Sequence, residues 1–203
     1  MSNINKLVQF ITESAKPELN VKLDLIDVKK YFPIDLRFLK KYSNSNKILL
    51  NAKVVKALLK AKKSLPKGWT FKIMYGYRSL KEQINIITIT EKELKKSHPK
   101  NWEELLDKYT GGYKDLKETK ISFMNHRSGN AVDLKLMNGR KEIDLGGSEA
   151  SLSSKDKLNY YEKKKNLSIK DTAIRDNRRI FSKALLNQFK NYKDEWWHWG
   201  YFK

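Results

Sequence analysis

The chain has 203 residues, of which 39% are hydrophobic and 11% aromatic; this is enough for one domain with a buried core and argues against a wholly disordered polymer. It contains no cysteine, which excludes disulfides, thiolate zinc sites and cysteine nucleophiles and leaves imidazole and carboxylate as candidate metal ligands. The net charge is 43 − 23 = +20, which suggests polyanionic partners but is more simply explained by a solvated, lysine-rich surface.

The sequence also lacks targeting features. No run of about 18 uncharged apolar residues is present, so we expect no membrane span. The N-terminus lacks the basic and apolar segments of a secretory signal, which predicts a cytoplasmic protein, although a lytic or exported role stays open. We expect a single domain over residues 1–203, with residues 1–30 as an N-terminal extension.

The first half of the chain predicts two helices and a strand. Apolar residues at helical spacing predict a helix over residues 47–64, ended by Pro66-Lys67-Gly68. Residues 69–74 alternate as in a strand and lead into Tyr75-Gly76-Tyr77-Arg78. A second helix is expected to begin near Ser79, because a glutamate three residues later completes a capping box.

The second half predicts a hairpin, a helix and a terminal strand. Its expected segments are an irregular stretch at 97–120, a hairpin of 131–137 and 141–145 around Asn138-Gly139, a polar loop at 146–157, a helix at 172–190 and an aromatic strand at 195–202. Helices that flank hairpins predict an α+β fold with a central antiparallel sheet, rather than alternating β-α units.

The first candidate site is the stretch from His126 to Asp133. Gly129 between them permits a sharp bend, and Ala131, on the same strand face as Asp133, leaves room for an ion or a substrate. A neutral imidazole and a carboxylate that converge in this way are suited to bind a metal. Taken alone, the stretch is explained slightly better by a simple ion pair between a loop histidine and a strand aspartate.

The second candidate site is Glu195-Trp196-Trp197-His198. A metallopeptidase needs a ligand histidine and a carboxylate that serves as general base. In a regular strand a separation of three places Glu195 and His198 on opposite faces, so both can face a metal only if the strand is kinked, bulged or just beginning. The alternative is a hydrophobic terminal strand with incidental polar residues.

Two further residues complete the candidates. Arg78, after the predicted strand, has the charge to stabilise the oxyanion of a tetrahedral intermediate, although a surface ion pair is the commoner role. His98 lies before Pro99 in a lysine-rich segment, with no carboxylate near in sequence. We therefore expect His98 to be exposed to solvent.

Together these pieces resemble the D-alanyl-D-alanine dipeptidases, which are related to the D,D-carboxypeptidases and L,D-endopeptidases of peptidoglycan metabolism. Their pattern, S-x-H-x-x-G-x-A-x-D followed by E-x-W-H, is similar to residues 124–133 and 195–198 here. The segments 34–37 and 177–192 also resemble the dipeptidase branch, whereas Tyr77-Arg78-Ser79 is closer to the carboxypeptidase branch.

The resemblance implies the fold shared by these peptidases and the hedgehog signalling domain. It implies one zinc ion per chain, bound by His126, Asp133 and His198. Glu195 would be the general acid and base, and Arg78 would stabilise the transition state. The implied substrate is D-Ala-D-Ala or a similar small D-amino-acid peptide, with no obligatory nucleic acid, no membrane and an unknown oligomeric state.

The sequence departs from the dipeptidases where they hold the substrate's ammonium group. Phe38, Met124 and Ala150 stand at those positions, with Glu149 as a neighbouring acid that could compensate. These substitutions keep open a peptidoglycan stem-peptide D,D-carboxypeptidase or endopeptidase as an alternative. A basic nucleic-acid-binding domain without catalysis is a second alternative from a different class.

Overall fold

The computed structural model describes residues 22–111, 116, 121–147 and 153–203. Its α-helices are α1 (Arg37–Tyr42), α2 (Ala52–Lys62), α3 (Leu80–Ser97), α4 (Trp102–Thr110), α5 (Tyr160–Lys163) and α6 (Ile169–Leu185). Its strands are β1 (Leu25–Asp27), β2 (Leu49–Asn51), β3 (Trp69–Tyr75), β4 (Ala131–Asn138), β5 (Lys141–Glu142), β6 (Phe189–Asn191) and β7 (His198–Tyr201). Short 3-10 helices lie at Val28–Lys30, His126–Ser128 and Ser154–Asp156.

Within these ranges the strands form two antiparallel sheets. Strands β1 and β2 pair with each other, and the larger sheet has the order β3-β4-β7-β6, with β5 paired to β4. The sheets and the flanking helices give the expected α+β fold. Among the described residues, no helix is both long and apolar enough to cross a membrane.

The main core lies between the larger sheet and helices α2 and α6. Strand β3 contributes Phe71 and Ile73, α2 contributes Leu58, and α6 contributes Phe181, all fully buried. The ring of Phe181 packs against that of Trp199 on β7, with the centroids 5.6 Å apart. The terminal strand that carries His198 is therefore fixed by hydrophobic burial, the main favourable contribution to folding.

The predicted helix at 47–64 is shorter than expected. Residues Leu49–Asn51 form β2, which pairs with Leu25–Asp27, and helix α2 begins only at Ala52. Helical spacing of apolar residues cannot show that the first of them lie opposite another strand. Val28, inside the predicted extension, is completely buried in the core.

The segment 97–120 was predicted to be irregular, and this is wrong for α4, Trp102–Thr110. The helix ends at Gly111, whose φ of 72° is left-handed, as is common after a helix C-terminus.

The second helix begins as predicted, with Ser79 and Glu82 forming a capping box. The last helix spans Ile169–Leu185 rather than 172–190, because Ser168 and Asp171 cap it three residues earlier.

The hairpin is confirmed but its second strand is short. Strand β4 extends through Asn138, and β5 covers only Lys141–Glu142. The predicted strand at 195–202 begins only at His198. Phe189 and Lys190, which were predicted to end the last helix, instead belong to the edge strand β6, Phe189–Asn191. These two corrections place Glu195 in a turn immediately before β7.

Candidate metal centre

The structure brings His126, Asp133 and His198 into one cluster. Their potential ligand atoms all lie within 4.8 Å of one another. Nε2 of His126 is 3.3 Å from Oδ2 of Asp133, and Nδ1 of His198 is 3.0 Å from Oδ1 of the same carboxylate. All three residues are buried, at 5, 7 and 8% exposure. Two imidazoles and one carboxylate form a donor set typical of a catalytic zinc site, in which a position stays open.

Backbone geometry brings the first two residues together. His126 begins a short 3-10 helix that ends at Gly129, whose φ is 68°. This left-handed conformation is readily adopted by glycine and supplies the bend that the sequence predicted. The chain then enters β4, where Asp133 lies directly opposite Tyr75 of β3 and His198 of β7. Asp133 therefore lies in the middle of the sheet, between the strands that carry its neighbours.

The ring of His126 is oriented by a backbone carbonyl. Its Nδ1 lies 2.8 Å from the carbonyl oxygen of Gly76, which can only accept, so Nδ1 carries the proton. Nε2 is then left with its lone pair toward Asp133. Gly76 is required because a Cβ there would clash with the Leu49 carbonyl oxygen and would lie 2.9 Å from the side chain of Ile48.

The ring of His198 is oriented in the same way by the opposite nitrogen. Its Nε2 donates to the carbonyl oxygen of Met124 over 2.7 Å, and its Nδ1 faces Asp133. In metal sites, ligand histidines commonly donate their second N–H to a carbonyl or carboxylate, which fixes the tautomer. Both histidines of this cluster have that arrangement.

The electrostatics of the cluster favour a neutral His126 beside an ionised Asp133, whereas His198 is shifted in the opposite direction. Burial lowers the pKa of His126 to about 4, against the opposing charge of Asp133. Burial also opposes ionisation of Asp133, but the two histidines outweigh it and hold the pKa of this carboxyl well below its usual range. For His198, the hydrogen bond and charge of Asp133 outweigh burial and raise its pKa.

Glu195 lies beside the cluster. Its Oε2 is 3.9 Å from Nδ1 of His198, and its side chain is 14% exposed. A turn makes this possible, since the amide of His198 donates to the carbonyl of Glu195 over 3.2 Å. Burial raises the pKa of Glu195 to about 7, with His198 and Arg78 opposing the shift. A carboxyl group with its pKa near neutrality is suited to accept and return a proton.

Arg78 lies close to this group. Its guanidinium lies over the ring of Tyr75 at 4.9 Å and donates to Gln83 over 2.7 Å. Its backbone amide donates to the carbonyl of His126 over 3.2 Å. The guanidinium is thus half-buried and hydrogen-bonded to the side-chain amide of Gln83. This differs from the surface ion pair that the sequence left open as the alternative role of Arg78. His98, which was expected to be exposed, is exposed.

A cavity of about 650 Å³ opens onto the cluster. Besides the cluster, Glu195 and Arg78, its walls include Phe38, Met124, Tyr192 and Trp197. Phe38 and Met124 therefore line the cavity, and their role in substrate binding stays a prediction. Glu149 and Ala150 lie outside the described residues. Asp144, an acid that precedes this loop, is exposed, accepts from the Gly146 amide and faces Lys170 over 3.5 Å.

A buried arginine, Arg178, which the sequence did not indicate as functional, holds the loop that contacts the turn at Glu195. The guanidinium of Arg178, on α6, donates to the carbonyls of Leu145, Gly146, Lys155, Lys157 and Leu158. In the same loop, the carbonyl of Asp156 accepts a hydrogen bond of 2.8 Å from the backbone amide of Trp196. Arg178 therefore helps to position the turn that carries Glu195.

The amide of Asn51 supports the first half of the cluster. Its Nδ2 donates to the carbonyl of Ser128 over 3.0 Å and to Oδ1 of Asn130 over 2.9 Å. These contacts link β2 to the loop between His126 and Asp133. Asn51 and Arg178 act through hydrogen bonds to residues far away in the chain, and their own positions in the sequence do not indicate these contacts.

The α+β fold and the His-Asp-His cluster beside a buried glutamate define a candidate single-metal hydrolytic site. The sequence matches no family model and no curated protein. Among solved structures, it is similar to the vancomycin-resistance D,D-pentapeptidase VanY from a VanB-type resistance cassette, a mutant in complex with Zn(II). The likeness covers 83% of this chain and 82% of that chain, at 14% identity and a TM-score of 0.41.

Proposed function

We propose that this chain is a zinc peptidase that hydrolyses small peptides of D-amino acids, with D-Ala-D-Ala as the leading substrate. The observation that carries the proposal is the convergence of His126, Asp133 and His198 within 4.8 Å. In both histidines the outer nitrogen lies within hydrogen-bond distance of a backbone carbonyl, and the inner nitrogen faces Asp133, where it would bind the metal in its deprotonated form. A single zinc ion per chain fits this donor set.

The proposed roles follow from position and charge. Bound zinc would supply a Lewis acid and a more acidic water. Glu195, with its raised pKa, would take a proton from the water and pass it to the leaving amine. Arg78 would stabilise the negative charge that develops on the peptide oxygen, because its guanidinium lines the same cavity.

The cavity also supports the alternative of a longer or blocked peptide. Phe38 and Met124 provide no carboxylate or hydroxyl for a substrate ammonium, and the cavity extends to Lys108 and Tyr109 of α4. An uncompensated buried ammonium would lose affinity. A peptidoglycan stem peptide, cleaved by a D,D-carboxypeptidase or endopeptidase, avoids this cost.

A peptide panel tests the proposal. The protein is loaded with zinc and supplied with D-Ala-D-Ala, its N-acetyl form, a stem pentapeptide and L-Ala-L-Ala. We expect D-alanine release from the D-peptides, no cleavage of the L-peptide, loss of activity with a chelator and recovery with zinc. Zinc-loaded protein that cleaves none of them contradicts the proposal. Salt-sensitive DNA binding by the same inactive, metal-free protein would favour a nucleic-acid-binding domain.

A further inference from the structure

One stretch of the chain carries positive charge with no acid to balance it. Residues 36–81 contain thirteen lysines and arginines and no aspartate or glutamate. Some of these cations have partners elsewhere, such as Lys41 with Glu93 and Lys72 with Glu142. Among the described residues, the lysines of helix α2 pair with no acid, and Lys53 lies over the ring of Tyr201 at 5.5 Å.

Helix α2 presents an unbroken lysine face. Lys53, Lys56 and Lys60, with Lys63 at the C-cap in a helical backbone conformation, are exposed and follow one another at spacings of three, four and three residues. This spacing places them on one side of a helix, opposite the buried Val54, Val55 and Leu58. In the described part of the chain, none of the four forms an ion pair. Like charges at this spacing repel each other, so the face is unfavourable to the isolated helix.

The lysine face runs into a groove beyond the end of the helix. The groove is lined by Leu59, Leu65 and Trp69, with Lys62, Lys63 and Lys67 at its rim. Trp69 is half-buried and begins β3, whereas Tyr75 at the other end of β3 adjoins the metal cluster. Six residues of strand separate them by about 20 Å. The groove is therefore distinct from the cavity of the candidate metal centre.

We propose that the lysine face of α2 and the Trp69 groove form a binding surface for a linear polymer of sugar or polyol phosphates. Lysines three and four residues apart on a helix lie about 5–6 Å from one another, a spacing that suits successive phosphates of an extended chain. Lysine binds phosphate as a mobile point charge, which suits a flexible polymer. The apolar groove beside the charges offers a surface for the carbon backbone of one repeat.

The groove favours such a polymer over a nucleic acid. Proteins that bind single-stranded nucleic acids stack successive bases on several aromatic side chains. Here Trp69 is the one aromatic residue that lines the groove among the described residues. The choice of a sugar or polyol phosphate also rests on the proposed function, since it would hold a peptidase near a cell wall. The surface itself does not depend on that function.

Two variants with the same net charge test the surface. The first carries Lys56→Gln, Lys60→Gln, Lys63→Gln and Lys67→Gln. The matched control carries the same change at Lys92, Lys96, Lys100 and Lys165, which are exposed on other elements. Binding of labelled poly(glycerol phosphate) is measured by fluorescence anisotropy over a range of salt concentrations. Single-stranded DNA of the same length is the second probe.

We expect the first variant to bind poly(glycerol phosphate) at least about tenfold more weakly than the unmodified protein. The slope of log affinity against log salt should fall by about three, because four phosphate contacts are lost. The control should change affinity less than about twofold. Equal loss in both variants, or tighter binding of DNA than of the polymer by the unmodified protein, would overturn the proposal. Hydrolysis of a soluble peptide, measured in parallel, should be the same in both variants, so failure of the peptidase proposal is seen separately.

Discussion

The carboxylate of Glu195 lies 3.9 Å from the imidazole of His198. In a regular strand, two residues three positions apart would point to opposite faces of the sheet. The turn over residues 195–197 places both side chains on the same side of the sheet. Trp196 and Trp197 are buried beside them, at 3 and 5% exposure. Their burial anchors the turn and removes the carboxylate from water, which accounts for its raised pKa.

Replacing Glu195 should separate metal binding from catalysis. Glu195→Gln keeps the size of the side chain but removes the base, so zinc should stay bound while turnover falls by about 10²-fold or more. The measurement pairs zinc content after dialysis with kcat for the best peptide. Asp194→Asn, one residue away, is the control and should keep most activity. A fully active Glu195→Gln enzyme would show that another group is the base.

Gly76 should be essential for orienting His126. In Gly76→Ala the added Cβ meets the Leu49 carbonyl and Ile48, so the chain must shift and the carbonyl that accepts from His126 must move. Loss of such a supporting hydrogen bond lowers metal affinity by about 10–100-fold in related cases. Titration with zinc by calorimetry measures the effect.

Gly139→Ala provides the comparison for this prediction. Gly139 has a φ of 56° in the β4–β5 turn, and a Cβ there meets no atom within 4 Å. This variant should lose some thermal stability from backbone strain and keep its zinc affinity. If Gly76→Ala binds zinc as tightly as Gly139→Ala does, the Gly76 carbonyl does not position the histidine.

Arg178 should be essential for stability, and lysine should not replace it. Arg178→Lys leaves several buried carbonyls without a donor, because one ammonium cannot reach the positions that the planar guanidinium reaches. We expect a loss of about 2–4 kcal/mol in the free energy of unfolding. Urea denaturation measures it, with the exposed Arg179→Lys on the same helix as control. Equal stability of the two variants would contradict this role of Arg178.

Phe38 and Met124, which line the cavity, should determine whether a free or a blocked dipeptide is preferred. Because Phe38 and Met124 offer no acceptor to an ammonium group, N-acetyl-D-Ala-D-Ala should be cleaved at least as well as the free dipeptide. Comparison of kcat/KM for the two peptides decides the point. Phe38→Tyr adds a hydroxyl at this wall and should shift the ratio toward the free dipeptide. A strong preference for the free dipeptide that disappears in Glu149→Ala would instead assign the ammonium to Glu149.

The sequence predicted the parts of the site that depend on local spacing. His126 and Asp133 are joined by a glycine bend and a strand, so their approach follows from the chain between them. The order of the strands could not be derived in this way. His198 reaches Asp133 because β7 pairs with β4, and that pairing joins residues 65 positions apart.

The remaining parts of the site have no sequence signal. The carbonyls of Gly76 and Met124 orient the two histidines, and every residue has a carbonyl. The turn at Glu195 depends on burial of its tryptophans, whereas alternation alone predicts a strand there. Helix α4, whose Lys108 lines the cavity, was missed because its short apolar pattern lies among lysines and glycines.

The most direct test of the central claim is the zinc stoichiometry of the unmodified chain and its ligand variants, measured by calorimetry after metal removal. We predict one tightly bound zinc per chain, with tight binding lost in His126→Ala, Asp133→Ala and His198→Ala. His98→Ala, which removes an exposed histidine, should bind zinc as the unmodified chain does. An unmodified chain without affinity for zinc, or a His198→Ala variant that keeps it in full, would contradict the assignment of the site.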